Sequence, residues 1–263
     1  MPPSMTDILA SGRTIVFDGA MGTAIYKVPL TIDGDYRGCE NCTDILVQTR
    51  PDVIRSIHES FLRVGCDVIE TDSFGANRLV LGEFNIADQA YDLSRLAAKV
   101  AREAADAFTT SAHPRFVAGS IGPGTRLLTL GQTDWDAMRA SYREQALGLI
   151  DGGCDCFIIE TCQDLLQVKC AINAVLEALT ERGKGPTDIP IMVSVTIEST
   201  GTMLMGTAIE AAATALAGYP IVSLGLNCAT GPAEMVEHVR WLGAHWRSLA
   251  SRSPAAPALP RSV

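Results

Sequence analysis

The sequence lacks several features that mark membrane proteins and nucleic-acid-binding proteins. It has no apolar run long enough to span a bilayer and no basic-then-apolar leader at its start. Basic residues are in the minority, with 21 Lys and Arg against 30 Asp and Glu. The resulting net charge of −9 argues against nucleic acids and anionic membrane surfaces as partners. We therefore expect a cytoplasmic protein.

Three kinds of site are also missing from the sequence. No glycine-rich loop is followed by a lysine, which argues against a phosphate-binding loop. The four histidines fall on predicted helices or connections, so neither a histidine-dependent triad nor a facial metal site is supported. The eight cysteines are irregularly spaced, and in the cytoplasm they would be reduced thiols or metal ligands instead of a disulfide framework.

The chain does contain a regular alternation of short β-type runs and amphipathic helices. The predicted strands are 14–18, 66–71, 115–120, 154–161, 190–196 and 221–226. The predicted helices are 51–64, 87–108, 134–150, 164–181, 207–217 and 233–245. Strict alternation predicts parallel strands joined by right-handed crossovers. We expect an α/β fold of the (β/α)8 TIM-barrel type that is incomplete, because six of the eight units are present; an open six-stranded sheet is the alternative.

The domain organisation follows from a change in composition near the end of the sequence. Residues 1–247 are predicted to form one partial barrel domain, and residues 248–263, rich in Pro, Ala, Ser and Arg, a disordered tail. Within the barrel, Val64–Thr71 resembles Gly152–Thr161, and both segments end in Ile-Glu-Thr. Such an echo is expected of a barrel built from repeated units, although similar helix-to-strand turns also arise by chance.

Polar side chains follow most of the predicted strands, where parallel α/β folds place their active sites. These strand ends carry Asp18, Glu70 with Asp72, Ser120, Glu160, Thr196 with Glu198, and Asn227 with Cys228. An acidic rim suits an ammonium group or a metal ion better than a phosphate. Each acidic residue also has a structural interpretation: Asp18 before Gly19 can cap a turn, and Glu70 and Glu160 can pair with arginines. Of the two glutamates, Glu160 is the stronger candidate for a functional role.

Cys228 is the cysteine best placed for function, on the turn between the last strand and a helix opened by Pro232. A thiol at such a turn is either functional or a small apolar filler. Cys39 and Cys42 have the spacing of a zinc knuckle, but no second pair follows, so they are interpreted as loop thiols. Four further cysteines are assigned to the core: Cys66, Cys154, Cys156 and Cys170. Cys162, just past Glu160, is a weaker candidate than Cys228 for a thiol in the site.

Several of these segments together resemble the homocysteine S-methyltransferase family. They are Phe17–Thr23, the paired Ile-Glu-Thr strand ends, Gly122–Gly124 and Leu226–Pro232. The likeness is strongest to the homocysteine-binding domain of the cobalamin-dependent members, and it covers roughly Ile8 to Trp246. There it includes the segments Asp35–Gly38 and Thr43–Pro51.

The resemblance implies a barrel on which three cysteine thiolates hold Zn²⁺ and homocysteine sulfur takes the fourth position. Zinc keeps that sulfur deprotonated for attack on the methyl group of methylcobalamin, which other domains or subunits carry, and the product is methionine. By position, Cys228 is implied as a zinc ligand and Glu160 as the residue that holds the substrate ammonium. Asp18, Gly19, Thr161 and Asn227 are implied to line the substrate pocket. No residue is assigned as a catalytic acid or base.

One part of the family pattern is missing. The other two zinc ligands of the family are adjacent cysteines in a Gly-Gly-Cys-Cys-Gly motif near strand eight. This sequence has no adjacent cysteine pair and no cysteine after Cys228. We therefore expect a truncated barrel that binds zinc weakly and is inactive by itself. The alternatives are a homocysteine methyltransferase that uses betaine or S-methylmethionine, and a non-catalytic fragment.

Overall fold

The computed structural model describes residues 3–250 of the 263-residue chain. At its centre is a five-stranded sheet in which each strand is parallel to its neighbours and lies beside the next strand along the chain. The strands are β1 (Val68–Glu70), β2 (Phe116–Ile121), β3 (Cys156–Cys162), β4 (Ile191–Val195) and β5 (Ile221–Leu226). Parallel strands in chain order form the wall of a TIM barrel. The predicted fold class, an incomplete α/β barrel, is confirmed.

Helices follow the strands and cover the outer face of the sheet. Within residues 3–250 they are α1 (Met5–Ala10), α2 (Met21–Ile25), α3 (Leu46–Thr49), α4 (Pro51–Val64), α5 (Arg78–Leu81), α6 (Ala90–Phe108), α7 (Trp135–Gly152), α8 (Leu165–Glu181), α9 (Ile209–Leu216) and α10 (Pro232–Ala250), with 3₁₀ turns at Thr43–Ile45, Gly82–Phe84 and Ala87–Gln89. Local chemistry sets several of these ends. Pro51 opens α4 and Gly65, with φ of 107°, ends it. The carboxylates of Asp134 and Asp164 cap α7 and α8.

The first predicted strand, 14–18, is the main departure from the expected sheet. Only Phe17 forms a bridge, to Val68, and the N–H of Asp18 donates to the carbonyl of Val68 at 3.0 Å. This segment lies at an edge of the sheet, and the Val16 side chain is 53% exposed. An edge segment has hydrogen-bond partners on one side only. A β-branched run at an edge therefore forms fewer regular strand-to-strand hydrogen bonds than the same run inside a sheet. The sequence predicted six strands, and the structure forms five of them, because residues 14–18 do not form a strand.

The two faces of the sheet bury different layers. Outward-facing residues of the strands join the helices in the large core cluster. Inward-facing residues at the amino ends of the strands form a smaller cluster, to which α1 contributes Met5; its strand members are Val68, Phe116, Ala118, Cys156 and Met192. The period of two along each strand separates these layers. The inner layer is apolar at the amino ends of the strands and polar at their carboxyl ends.

The last described helix passes the predicted domain boundary at residue 247, because α10 continues to Ala250. The rest of the stretch predicted to be a disordered tail, 251–263, lies outside the described residues. None of the helices in the described part of the chain is both long enough and apolar enough to cross a membrane.

Candidate substrate site

A cavity of about 600 Å³ opens at the carboxyl ends of the strands. All six residues predicted as site residues line it: Asp18, Gly19, Glu160, Thr161, Asn227 and Cys228. The rim residues Glu70, Asp72 and Ser120 also line it. The parallel topology thus brings side chains from separate segments to one cavity, where they can contact one ligand. Their roles with that ligand stay predictions.

Three carboxyl groups form the acidic centre of the cavity. The N–H of Glu70 donates to both carboxylate oxygens of Asp18 at 3.1 Å, and the Glu70 and Glu160 carboxyls share a hydrogen bond. Burial raises the pKa of Asp18 to about 7, and the charge of Glu160 adds to the shift. Burial and the charges of Glu160 and Asp18 raise the pKa of Glu70 to about 9. Among the described residues, no Lys, Arg or His lines this cavity. A buried acidic group without a cation favours either bound protons or a cationic ligand.

Of these three carboxyls, Glu160 has the most hydrogen-bond donors. Its Oε1 accepts from the Ser120 hydroxyl at 2.6 Å, and its Oε2 accepts from Asn227 Nδ2 at 3.3 Å and from the Thr161 hydroxyl at 3.4 Å. Burial raises the pKa of Glu160, although the hydrogen bonds from Ser120, Thr161 and Glu70 oppose that shift. Donors on both oxygens fix the direction in which this carboxylate faces the cavity.

Asn227 links three strands at the cavity wall. Its Oδ1 accepts from the N–H of Thr161 at 3.0 Å and from the Ser194 hydroxyl at 2.7 Å. Because the oxygen is held there, the amide nitrogen faces Thr161 Oγ1 at 2.7 Å and Cys228 Sγ at 3.4 Å. Asn227 therefore connects the end of β5 to Glu160 and to the thiol.

Backbone strain marks the same wall of the cavity. Thr161 (φ of 58°), Cys228 (58°) and Ala229 (60°) all have left-handed backbone conformations without being glycine. At Thr161 the register between β3 and β4 shifts, as in a β-bulge. Such conformations cost free energy, particularly for a β-branched residue, and they cluster at functional sites. Cys228 is also the one exposed cysteine of the eight, all of which lie within residues 3–250.

The structure excludes three residues that the sequence placed near the site. Thr196 is buried, and both its N–H and its hydroxyl donate to the Cys162 carbonyl, so it faces the neighbouring strand. Glu198 follows it into a turn closed by a hydrogen bond to the carbonyl of Thr202, away from the cavity. The Cys162 thiol is 1% exposed in the outer core, because the irregularity at Thr161 turns the next side chain outward. The interpretation of Cys162 as a site thiol is wrong.

Other lining residues were not identified from the sequence. Ile158 and Ser194 line the cavity from inside β3 and β4, and the alternation that puts Glu160 inward would have indicated Ile158. Tyr26 and Phe74 come from irregular segments whose sequences carry no periodic signal. Packing also favours glycine at position 19, since a Cβ there would lie 3.0 Å from the Phe61 ring.

The described residues do not fit a catalytic zinc ion by themselves. Such a site needs three protein ligands and one open position. Within residues 3–250 no group of three His, Cys, Asp or Glu side chains is arranged to hold a metal ion. Cys228 is the one thiol at the cavity, and its hydrogen-bonding neighbours are the Thr161 hydroxyl and the Asn227 amide, which are poor zinc ligands.

The chain belongs to the homocysteine S-methyltransferase family, a family of methyltransferases, because the model of that family matches residues 15–261. The match extends past Trp246, where the motifs recognised in the sequence end. The chain is 48% identical over 253 residues to the methionine synthase of Mycobacterium leprae (strain TN) and 47% identical over 253 residues to that of Mycobacterium tuberculosis (strain ATCC 25618 / H37Rv). These alignments cover 95% of this chain and 21% of each relative, so the chain spans about a fifth of the length of the curated relatives it matches.

The fold is similar to that of a solved homocysteine methyltransferase. The homocysteine methyltransferase MmuM from Escherichia coli matches in its metallated form with a TM-score of 0.69 and 22% identity, over 97% of this chain and 95% of that chain. Its apo form matches with a TM-score of 0.63 and 23% identity, over 97% and 94% of the two chains. At this identity the likeness shows the fold alone.

Proposed function

We propose that this chain is the homocysteine-binding part of a methionine synthase that takes its methyl group from methylcobalamin. The observation that carries the proposal is the acidic cavity at the strand ends, which has no cation of its own and places an exposed thiol on its wall. Family membership and 48% identity to a methionine synthase support the reaction class, and the proposed donor follows from the resemblance of the sequence to the cobalamin-dependent members.

In this proposal the substrate ammonium group supplies the missing cation. It contacts the Glu160 carboxylate, whose direction Ser120 and Asn227 fix, and lies beside Asp18. An ammonium group in contact with these carboxyls favours the ionised form of each one and so offsets the cost of burying them. Gly19 and Thr161 complete the pocket wall. These residues bind and orient the amino acid; no acid or base is assigned for a proton transfer.

Zinc and methylcobalamin have different roles in the proposed reaction. Zinc, if held by a complete set of ligands, would stabilise the homocysteine sulfur as a thiolate. Cys228 is proposed as one zinc ligand, and the described residues do not supply the others. Methylcobalamin is the proposed methyl donor, carried by other domains or subunits of the protein. We therefore expect this chain alone to bind zinc weakly and to produce little or no methionine.

Calorimetric titration with L-homocysteine under reducing, zinc-free conditions tests the substrate assignment. The wild-type chain should bind homocysteine, and Glu160→Gln should weaken binding at least about tenfold, because a charged hydrogen bond to the ammonium is lost. Glu198→Gln is the matched control, since that glutamate lies outside the cavity. Equal binding by the wild-type and Glu160→Gln chains would contradict the assignment.

The methyl donor needs a separate test. The chain is incubated with zinc, homocysteine and one donor at a time, and methionine is measured by mass spectrometry. Methionine formed from betaine or S-methylmethionine would overturn the proposed donor. One tightly held zinc per chain together with turnover from methylcobalamin would overturn the expectation that this chain is inactive.

A further inference from the structure

Glu70 lies at the centre of the acidic group, and the roles proposed above do not use it. Its backbone N–H holds Asp18 through two contacts of 3.1 Å, and its carboxyl shares a hydrogen bond with Glu160. The titratable groups that face it are Asp18, from the segment beside β1, and Glu160 and Cys156 from β3. None of these supplies a positive charge.

Two carboxyl groups in hydrogen-bond contact must share one proton, because two adjacent carboxylates repel and neither has a hydrogen to donate. The surroundings decide which one carries it. Glu160 accepts hydrogen bonds from Ser120, Thr161 and Asn227, and these stabilise its anion. The Glu70 carboxyl makes its side-chain hydrogen bond to Glu160. The proton therefore belongs on Glu70, and burial among acidic neighbours, which raises its pKa to about 9, agrees with that placement.

We propose that Glu70 is a positioning residue for substrate recognition: as a neutral acid it donates a hydrogen bond to Glu160 and so directs that carboxylate toward the substrate ammonium group. This inference rests on the proposed function, in which Glu160 binds the ammonium. With Glu70 neutral, the negative charge at the centre of the cavity lies on Asp18 and Glu160, the two carboxyls proposed to lie beside the ammonium group.

Paired substitutions separate hydrogen-bond donation from charge. Glu70→Gln keeps a donor to Glu160 in a side chain of almost the same shape, whereas Glu70→Leu fills the space without a donor. Affinity for homocysteine should fall roughly tenfold in Glu70→Leu and stay within about threefold of wild type in Glu70→Gln. 4-Mercaptobutyrate is homocysteine without its amino group. Its binding should change by less than about twofold in either variant, because it does not use Glu160.

An infrared measurement locates the proton without a ligand. The chain is labelled with ¹³C at glutamate carboxyls, which distinguishes Glu70 from the buried aspartic acids Asp44 and Asp72 in the same region. At neutral pH the wild-type protein should show a protonated glutamic acid C=O stretch, and Glu70→Gln should lack it. A band that persists in Glu70→Gln would overturn the inference. This comparison stands even if Glu70→Leu does not fold.

The outcomes distinguish this inference from the function on which it rests. If the wild-type chain binds homocysteine and Glu160→Gln weakens it, but Glu70→Gln and Glu70→Leu are equally weak, the positioning role is wrong and the substrate assignment stands. Wild-type affinity in Glu70→Leu, or equal loss of 4-mercaptobutyrate binding, also overturns the role. A wild-type chain that does not bind homocysteine removes both proposals.

Discussion

The two ends of the sheet hold their acidic residues in opposite ways. At the amino ends, Asp67 accepts from Arg13 Nη2 at 2.9 Å and lies 2.8 Å from His113 Nε2. Burial alone would raise the pKa of Asp67, but hydrogen bonds from the Val16 N–H, His113 and Arg13 together lower it. These charges have partners within the fold, so they serve the structure.

A second pair at the amino ends follows the same pattern. Asp155, just before β3, accepts from Arg102 Nη1 at 2.6 Å and from the Val117 N–H at 2.7 Å. Burial still raises the pKa of Asp155, against the effect of Arg102. The carboxylate nevertheless has a cation and a backbone donor of its own.

At the carboxyl ends, Asp18, Glu70 and Glu160 contact one another and neutral donors. At the amino ends a cation opposes the effect of burial on each carboxyl, whereas these three carboxyls have no cationic partner among the described residues and their pKa values rise. Within residues 3–250 the fold pairs Asp67 and Asp155 with cations at the amino ends of the strands, and it leaves the cavity carboxyls at the carboxyl ends without one. The unpaired end is where a cationic ligand has the most to contribute.

Removing a paired acid should have the largest effect on stability. Asp67→Ala leaves Arg13, His113 and the Val16 N–H without their acceptor, so the free energy of unfolding should fall by about 3 kcal/mol. Urea unfolding followed by circular dichroism measures this, with Asp33→Ala, an exposed aspartate, as the control. A loss no larger than that of the control would mean that the pairing at the amino ends is not structural.

The pH dependence of stability should have opposite signs at the two ends. Asp18 and Glu70 have pKa values of about 7 and about 9 in the folded chain, above 3.8 and 4.5 in the unfolded one. Between these limits the folded chain holds protons that unfolding releases, so their contribution to stability falls as the pH rises from about 4 to about 9, by at most about 1.4 kcal/mol per pH unit for each proton. For Asp67, whose folded pKa is lowered, stability is instead lost as the pH falls through that pKa.

Urea unfolding at several pH values checks these signs. Glu70→Gln should flatten the decline in stability above neutral pH, whereas Asp67→Asn should flatten the loss of stability in acid. The free cysteines are kept reduced throughout. A free energy of unfolding that rises steadily from pH 5 to 9 in the wild-type chain would contradict the raised pKa values of Asp18 and Glu70.

Removing one carboxyl that has no cationic partner should stabilise the protein in the absence of homocysteine, by a smaller amount. Asp18→Asn keeps an acceptor for the Glu70 N–H and eliminates a buried charge, so we expect a gain of about 1 kcal/mol in the free energy of unfolding at pH 8. Homocysteine affinity should fall in the same variant. A thermal melt and a calorimetric titration on one preparation test both effects. A variant that is less stable than wild type but binds homocysteine normally would show that Asp18 stabilises the fold and does not contribute to binding.

The smallest effect is expected at Cys228. The thiol is exposed, so Cys228→Ser should change the free energy of unfolding by less than about 0.5 kcal/mol. In the native wild-type chain one thiol should react rapidly with Ellman's reagent, and the variant should lose that phase because the other seven cysteines are buried. Rapid reaction of a second thiol would show that the core is less closed than the structure indicates.

The order of the helices and strands, and most of their ends, could be read from the amino-acid sequence. Helix α4 begins at Pro51 and ends before Gly65, and α7 begins after Asp134, because proline, glycine and a capping carboxylate act on the backbone next to them. The period of two along the strands, together with parallel topology, was enough to bring Asp18, Glu160 and Cys228 to one end of the sheet. Local chemistry and repeat patterns are properties of a short stretch, so a sequence can reveal them.

Tertiary structure alone decided how those side chains meet. The hydrogen bond between Glu70 and Glu160 joins two strands. A pattern within one strand does not show which side chains of other strands lie next to it. The left-handed backbone at Thr161 turned Cys162 away from the cavity, and the edge position of residues 14–18 reduced a β-branched run to one bridge. Each of these depends on neighbours distant in the chain. Burial then raised the pKa values of the acidic group, because desolvation is set by everything packed around a carboxyl and not by its own residue type.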